Sequence, residues 1–102
     1  MTVTEASKKY RATDKGKRTY KNYHLNKRYG ISIETYDEMY ESQEGRCSIC
    51  NEFFPVLHVD HNHETETVRS LLCGPCNRGL GLFKEDQIIL KRASKYLERH
   101  NA

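Results

Sequence analysis

CSICNEFFPVLHVDHNHETETVRSLLCGPCNRGLG, residues 47–81, contains all four cysteines of the chain in two Cys-x-x-Cys pairs, Cys47/Cys50 and Cys73/Cys76, with 22 residues between them. Two such knuckles can bring four thiolates tetrahedrally around one zinc ion. Between the pairs, Val56–Val59 and Thr67–Leu72 read as short strands, and together they suggest a hairpin. Pro75 then suits the first turn of a helix, where its missing N–H is not needed. One pair precedes the hairpin and the other follows it, so a shared metal clamps the hairpin's two ends. With every position filled by thiolate, such a zinc has no open site for water and is structural. A disulfide framework fits poorly with a lysine-rich, signal-free sequence, and a thioredoxin-like redox motif needs one pair in a βαβ unit rather than two.

The rest of the composition explains why such a clamp is needed. The 102 residues are 36% hydrophobic and 30% charged, enough for one domain with little apolar surface to offset the entropy of folding. No apolar run approaches the eighteen or so residues of a membrane span, and the opening MTVTEASKKYR has no signal-type apolar stretch. The reading is a soluble, cytoplasmic protein with no membrane partner.

The net charge of +3 is unevenly placed. Residues 1–29 hold nine basic side chains against Glu5 and Asp14, a local +7, which leaves −4 for the remainder. Lys15, Lys17, Arg18, Lys21, Lys27 and Arg28 belong to this segment, with Tyr10, Tyr20, Tyr23 and Tyr29 interleaved. A basic arm on a mildly acidic body points to a polyanion, because neutralising phosphates releases counterions. A solvated, partly helical terminus would account for the charge equally well.

Glycines divide the chain. A helix ends near Tyr29 before Gly30; Ser32 caps a second helix over Ile33–Ser42 with Tyr36, Met39 and Tyr40 on its apolar face; Gly45 closes it. A last helix is expected over Glu85–Arg99, with Ile89, Ala93, Tyr96 and Leu97 as its packing face. The expected layout is a basic arm over residues 1–31, a zinc-clamped core over 32–83 and a packing helix over 84–102.

The stretch Asp60–Glu66, DHNHETE, is expected as the hairpin loop and is rich in ligand types. Asp60, His61, His63 and Asn77 are candidates for one site, since the clamp draws Asn77 toward the loop. A carboxylate and an amide oxygen suit a hard cation such as magnesium, and a neighbouring imidazole suits a general base. Taken singly, a loop histidine is usually just solvated, and an asparagine after cysteine can simply cap a helix.

The string CSIC followed by HVDHNHETETVRSLLCGPCNRGLG resembles the core of the phage recombination endonuclease VII family, a branch of the HNH or ββα-metal nucleases, over about residues 33–97. The elements carrying the resemblance are CxxC, DHxH and VRxLLCxxCN, in that order. The resemblance implies a small α+β zinc-stabilised domain with a ββα-metal (His-Me finger) core, flanking helices and a basic helical arm. It implies Cys47, Cys50, Cys73 and Cys76 as zinc ligands, and Asp60 and Asn77 as ligands of a catalytic Mg2+ or Mn2+. His61 becomes the general base, His63 helps hold the scissile phosphate, and Arg69 and Arg78 are candidate DNA-backbone contacts. Two positions depart from the pattern: Leu80 stands where the phage resolvase has an acidic residue, and Val68 lies near the place of the middle Asn of the wider HNH motif. The sequence ends at Ala102 without the long C-terminal part of the junction-resolving member, so junction specificity is not implied.

The expected function is therefore a metal-dependent endonuclease acting on DNA, of phage or prophage origin by resemblance. The alternative is a non-catalytic zinc-containing DNA-binding module. The oligomeric state is open, with a homodimer as one option.

Overall fold

The computed structural model describes residues 14–101, so Lys8, Lys9, Tyr10 and Arg11 of the basic segment lie outside the described residues. Gly30 has a φ of +71°, a left-handed conformation that a residue without Cβ adopts at little cost. It ends helix α1, Asp14–Tyr29, and its N–H donates to the Asn26 carbonyl at 3.0 Å. Ser32 caps helix α2, Ile33–Ser42, where its Oγ accepts from the Thr35 N–H at 3.1 Å.

The two helices are held together at several points. Asn22 Oδ1 accepts from the Ile33 N–H at 2.8 Å, Arg18 pairs with Asp37 at 2.9 Å, and the Lys21 ammonium sits 3.7 Å from the centroid of the Tyr36 ring. Leu25 of α1 and Ile33 of α2 are both buried. The described part of the basic segment is thus built into the core rather than appended to it.

The face expected on α2 forms. Tyr36 is buried, Met39 and Tyr40 pack partly against the core, and two hydroxyls reach the segment before the hairpin. Tyr36 Oη donates to the Leu57 carbonyl at 2.7 Å and accepts from the Leu57 N–H at 3.3 Å, while Tyr40 Oη donates to the Phe54 carbonyl at 2.7 Å. Gly45, at φ +69°, allows Phe53 to close over this turn, since a Cβ there would fall 2.7 Å from a Phe53 ring carbon.

Strands β1, His58–His61, and β2, Val68–Leu72, form a two-stranded antiparallel sheet. The first begins two residues later than its apolar pattern suggests, because the backbone of Leu57 is bonded to Tyr36 instead of to a partner strand. It also extends further, so Asp60 and His61 lie on β1 rather than in the loop. The register pairs Val59 with Leu71 and His61 with Val68, with an irregularity between Val59 and His61. Simple alternation would turn Asp60 away from Val59. Both are nonetheless buried, and the irregularity sets two residues of β2, Arg69 and Ser70, against Asp60.

Leu71 and Leu72 are almost fully buried beside Cys47 and Cys73. Gln43 ties α2 to β2: its Oε1 accepts from the Leu71 N–H at 2.9 Å, and its Nε2 donates to the Leu71 carbonyl at 3.0 Å. Helix α3, Gly74–Leu82, follows β2 directly, with Pro75 in its first turn as expected.

Helix α4, Gln87–His100, starts two residues after Glu85. Lys84 and Glu85 both have positive φ, and Asp86 caps the helix by accepting from the Ile88 and Ile89 N–H groups. The stripe Ile89, Ala93, Tyr96 and Leu97 is present, but α4 buries none of its residues. The packing expected of it is not made among the described residues, because amphipathic periodicity specifies a face and not what covers it. No helix among the described residues is long and apolar enough to cross a membrane.

Candidate functional site

The ligand atoms of Cys47, Cys50, Cys73 and Cys76 all lie within 4.8 Å of one another, with Cys50 Sγ 3.9 Å from Cys73 Sγ. Tetrahedral thiolates on zinc stand about 3.8 Å apart, as a Zn–S length near 2.3 Å requires. The donor set therefore fits the metal. Each knuckle is shaped by its own backbone. The Cys47 N–H donates to the Glu52 carbonyl and the Asn51 N–H to the Cys47 carbonyl, each at 3.0 Å, with Asn51 at φ +61°. Cys73 is the N-cap of α3, its Sγ accepting from the Cys76 N–H at 3.4 Å.

The four thiols divide in acidity. Burial works against ionisation of Cys47, but N–H groups of Cys73, Cys50 and Ile49 and the Cys50 thiol outweigh it and hold Cys47 down to about 6. Burial and the neighbouring cysteines push Cys76 up to about 12. Four sulfurs this close cannot all become thiolates unless a cation neutralises them, which is what bound zinc supplies.

The second cluster lies at the far end of β1. His61 is half-buried and His63 exposed, with ring centroids 4.5 Å apart, and Tyr29 from the end of α1 stands 5.4 Å from His61. Asn62 shapes the chain between them: its N–H donates to the Thr67 carbonyl at 2.8 Å, and its Oδ1 accepts from the Glu64 and Thr65 N–H groups. Asp60, only 6% exposed, is gripped by Arg69 of the facing strand, Nε to Oδ2 at 2.6 Å and Nη2 to Oδ1 at 2.9 Å. The same Nη2 donates to Glu85 Oε1 at 2.6 Å, and the two carboxylates hold the guanidinium firmly charged. Any cation taking Asp60 must use its remaining lone pairs or displace Arg69.

Asn77 lies on α3 and is half-buried. It lines an open cleft with Lys21, Arg28, Tyr29, His58 and Val59, the last of these beside Asp60 in sequence, but without a hydrogen bond to Asp60, His61 or His63. The rings of His61 and His63 are thus brought together, Asp60 is held by Arg69, and Asn77 stands in a cleft with His58 and Val59.

The basic residues are spread differently. Lys15, Lys17, Arg18, Lys27, Arg28 and Arg78 are not buried, and Lys21 is half-buried, where burial and Arg18 lower its pKa against the opposing pull of Asp37. Arg18 is engaged by Asp37, and Lys27 donates to the Tyr23 hydroxyl at 3.3 Å. Arg78 folds back over Gly74. The fold adds partners that the sequence reading did not assign to this cluster. Tyr29 and Glu85 reach the cluster only through the fold, and the partnership of Arg69 with Asp60 follows from strand register.

A four-cysteine cluster fit for zinc at a hairpin and a following helix, with an Asp-His-x-His run that begins on β1 and continues past its end, defines a small α+β class. Residues 22–99 match recombination endonuclease VII, and the chain belongs to that family. It is 45% identical over 75 residues to the "Gene 59 protein" of Mycobacterium phage D29, and 45% identical over 73 residues to that of Mycobacterium phage L5. These alignments take in 70% and 68% of this chain but only 46% and 44% of the relatives, so the chain spans less than half the length of the curated relatives it matches.

Proposed function

We propose that the protein is a phage-type, metal-dependent endonuclease that hydrolyses DNA phosphodiesters from a ββα-metal (His-Me finger) core of HNH type. The observation that supports this reading is the buried Asp60 carboxylate on β1, followed in the chain by the half-buried His61, whose ring centroid lies 4.5 Å from that of His63. Family membership supports the same class. Zinc on the four cysteines is structural: it holds β2 and α3 against the knuckle at 47–50 and takes no part in hydrolysis.

His61 accepts a proton from the attacking water, whose oxygen forms the new bond to phosphorus as the bond to the 3′ oxygen breaks. The products carry 5′ phosphate and 3′ hydroxyl ends, the leaving oxygen taking its proton from solvent. His63 donates to a non-bridging phosphate oxygen. Asp60 and Asn77 would hold a Mg2+ or Mn2+, which when bound would supply charge stabilisation to the phosphate and the leaving oxygen. Lys15, Lys17, Lys21, Lys27, Arg28 and Arg78 contact the DNA backbone around this centre.

The Arg69–Asp60 ion pair favours a second reading, a non-catalytic zinc-containing DNA-binding module in which Asp60 is only a structural anion. One assay separates them: incubation of zinc-loaded protein with linear, nicked, branched and single-stranded DNA, with magnesium, with manganese and with chelator. Cation-dependent cleavage lost in Asp60→Asn establishes the nuclease, and retained binding without cleavage of any substrate establishes the module.

A further inference from the structure

Asp60 is the one buried charged residue among the described residues, and both of its oxygens are already bonded by a single guanidinium. The holder has a second anchorage. Arg69 Nη2 lies 2.9 Å from Asp60 Oδ1 and 2.6 Å from Glu85 Oε1, so one nitrogen bridges the two carboxylates. Glu85 is presented by the α3–α4 turn, where it and Lys84 adopt left-handed φ values of 53° and 56°. The Arg69 side chain is 37% exposed and that of Asp60 8%, so the guanidinium borders solvent while the carboxylate does not.

We propose that Arg69 gates the catalytic cation site: it holds the buried Asp60 carboxylate in competition with the divalent cation, while Glu85 receives the guanidinium when the cation takes Asp60. This rests on the reading of Asp60 as a cation ligand. Guanidinium and metal ion seek the same oxygens, and two positive charges on one buried carboxylate repel each other in a medium that screens poorly. A guanidinium with no alternative partner would hold Asp60 shut. Glu85 provides that alternative within the reach of a side-chain rotation, since Nη2 already touches it. Cation binding is thereby coupled to a transfer of Arg69 from Asp60 to Glu85.

The test is Mn2+ binding to the zinc-loaded full chain without DNA, read as loss of the free-ion electron paramagnetic resonance signal. Arg69→Gln should bind Mn2+ about tenfold more tightly than wild type, the factor that one charge-assisted hydrogen bond to a carboxylate represents. Arg69→Lys, which keeps the charge but loses the fork, should fall between, and serves if Arg69→Gln proves unfolded by circular dichroism. Glu85→Gln should weaken binding, and that effect should vanish in the Arg69→Gln background, because Glu85 acts through Arg69. A Glu85 effect that persists in the double variant, or Arg69 variants that fold but bind Mn2+ no more tightly than wild type, overturns the proposal while leaving Asp60 as a ligand. Mn2+ binding that is unchanged in Asp60→Asn overturns the underlying reading of Asp60 itself.

Discussion

Removal of the zinc should unfold this protein outright, and the structure gives the scale. Apart from Cys47 and Cys73, its core among the described residues consists of seven buried apolar side chains: Leu25, Ile33, Tyr36, Leu57, Val59, Leu71 and Leu72. At about 1.5–3 kcal/mol each, their burial contributes roughly 10–20 kcal/mol before the entropy of ordering the chain is counted. Structural zinc in small domains supplies about 10–16 kcal/mol, as much as that entire apolar contribution and as much as the whole net stability of an ordinary domain, about 5–15 kcal/mol. Cys73 is the most exposed to this argument, since it caps α3, adjoins Leu72 and contributes one of the four sulfurs. Cys73→Ser, or a strong zinc chelator on the wild type, should abolish the cooperative thermal transition followed by circular dichroism. Metal analysis of the purified wild type should find one zinc per chain. A protein isolated without zinc that keeps a cooperative transition would refute the reasoning.

Three further outcomes are expected. His61→Ala should lower the cleavage rate by about 10² to 10⁴, the usual loss for a general base, with DNA binding retained, whereas Asp60→Ala should also weaken the cation titration; neither should release zinc. Replacing Lys15, Lys17 and Lys27 together by Gln should flatten the salt dependence of duplex binding by about 0.9 for each phosphate left without its cationic partner, and an unchanged slope in a binding titration would show these side chains to be merely solvated. Burial, partly opposed by the bond to Leu57, raises the Tyr36 hydroxyl above its ordinary value of 10.0, so its contribution to stability is complete below pH 10 and fades as pH rises through the folded value. Denaturant melts of wild type and Tyr36→Phe should therefore converge at high pH, with the variant about 1–3 kcal/mol less stable at neutral pH because Leu57 loses its partner.

The cysteine spacing, the break at Gly30, the Ser32 cap and the order of hairpin and helix were legible from residues 14–101 because each depends on chemistry within a few neighbouring positions. The four-cysteine cluster belongs with these, since Cys-x-x-Cys knuckles form locally and only their meeting is long-range. The second cluster was legible as residue types, Asp60, His61 and His63, but not as geometry. A strand pattern cannot announce a break in register, nor that Asp60 is buried together with its neighbour Val59. Once buried, a carboxylate requires a partner. Pairing across the hairpin, not sequence, selects Arg69 for that place, and the turn after α3 brings Glu85 to it from sixteen residues away. Tertiary structure also decided that α1 supplies Leu25 to the core and Tyr29 to the His61 side, where charge alone suggested only a basic arm. Local chemistry dictates which groups the chain can offer. Strand register and helix docking dictate which of those groups share a dry, charged neighbourhood, because that depends on contacts whose energies are fixed only when distant segments meet.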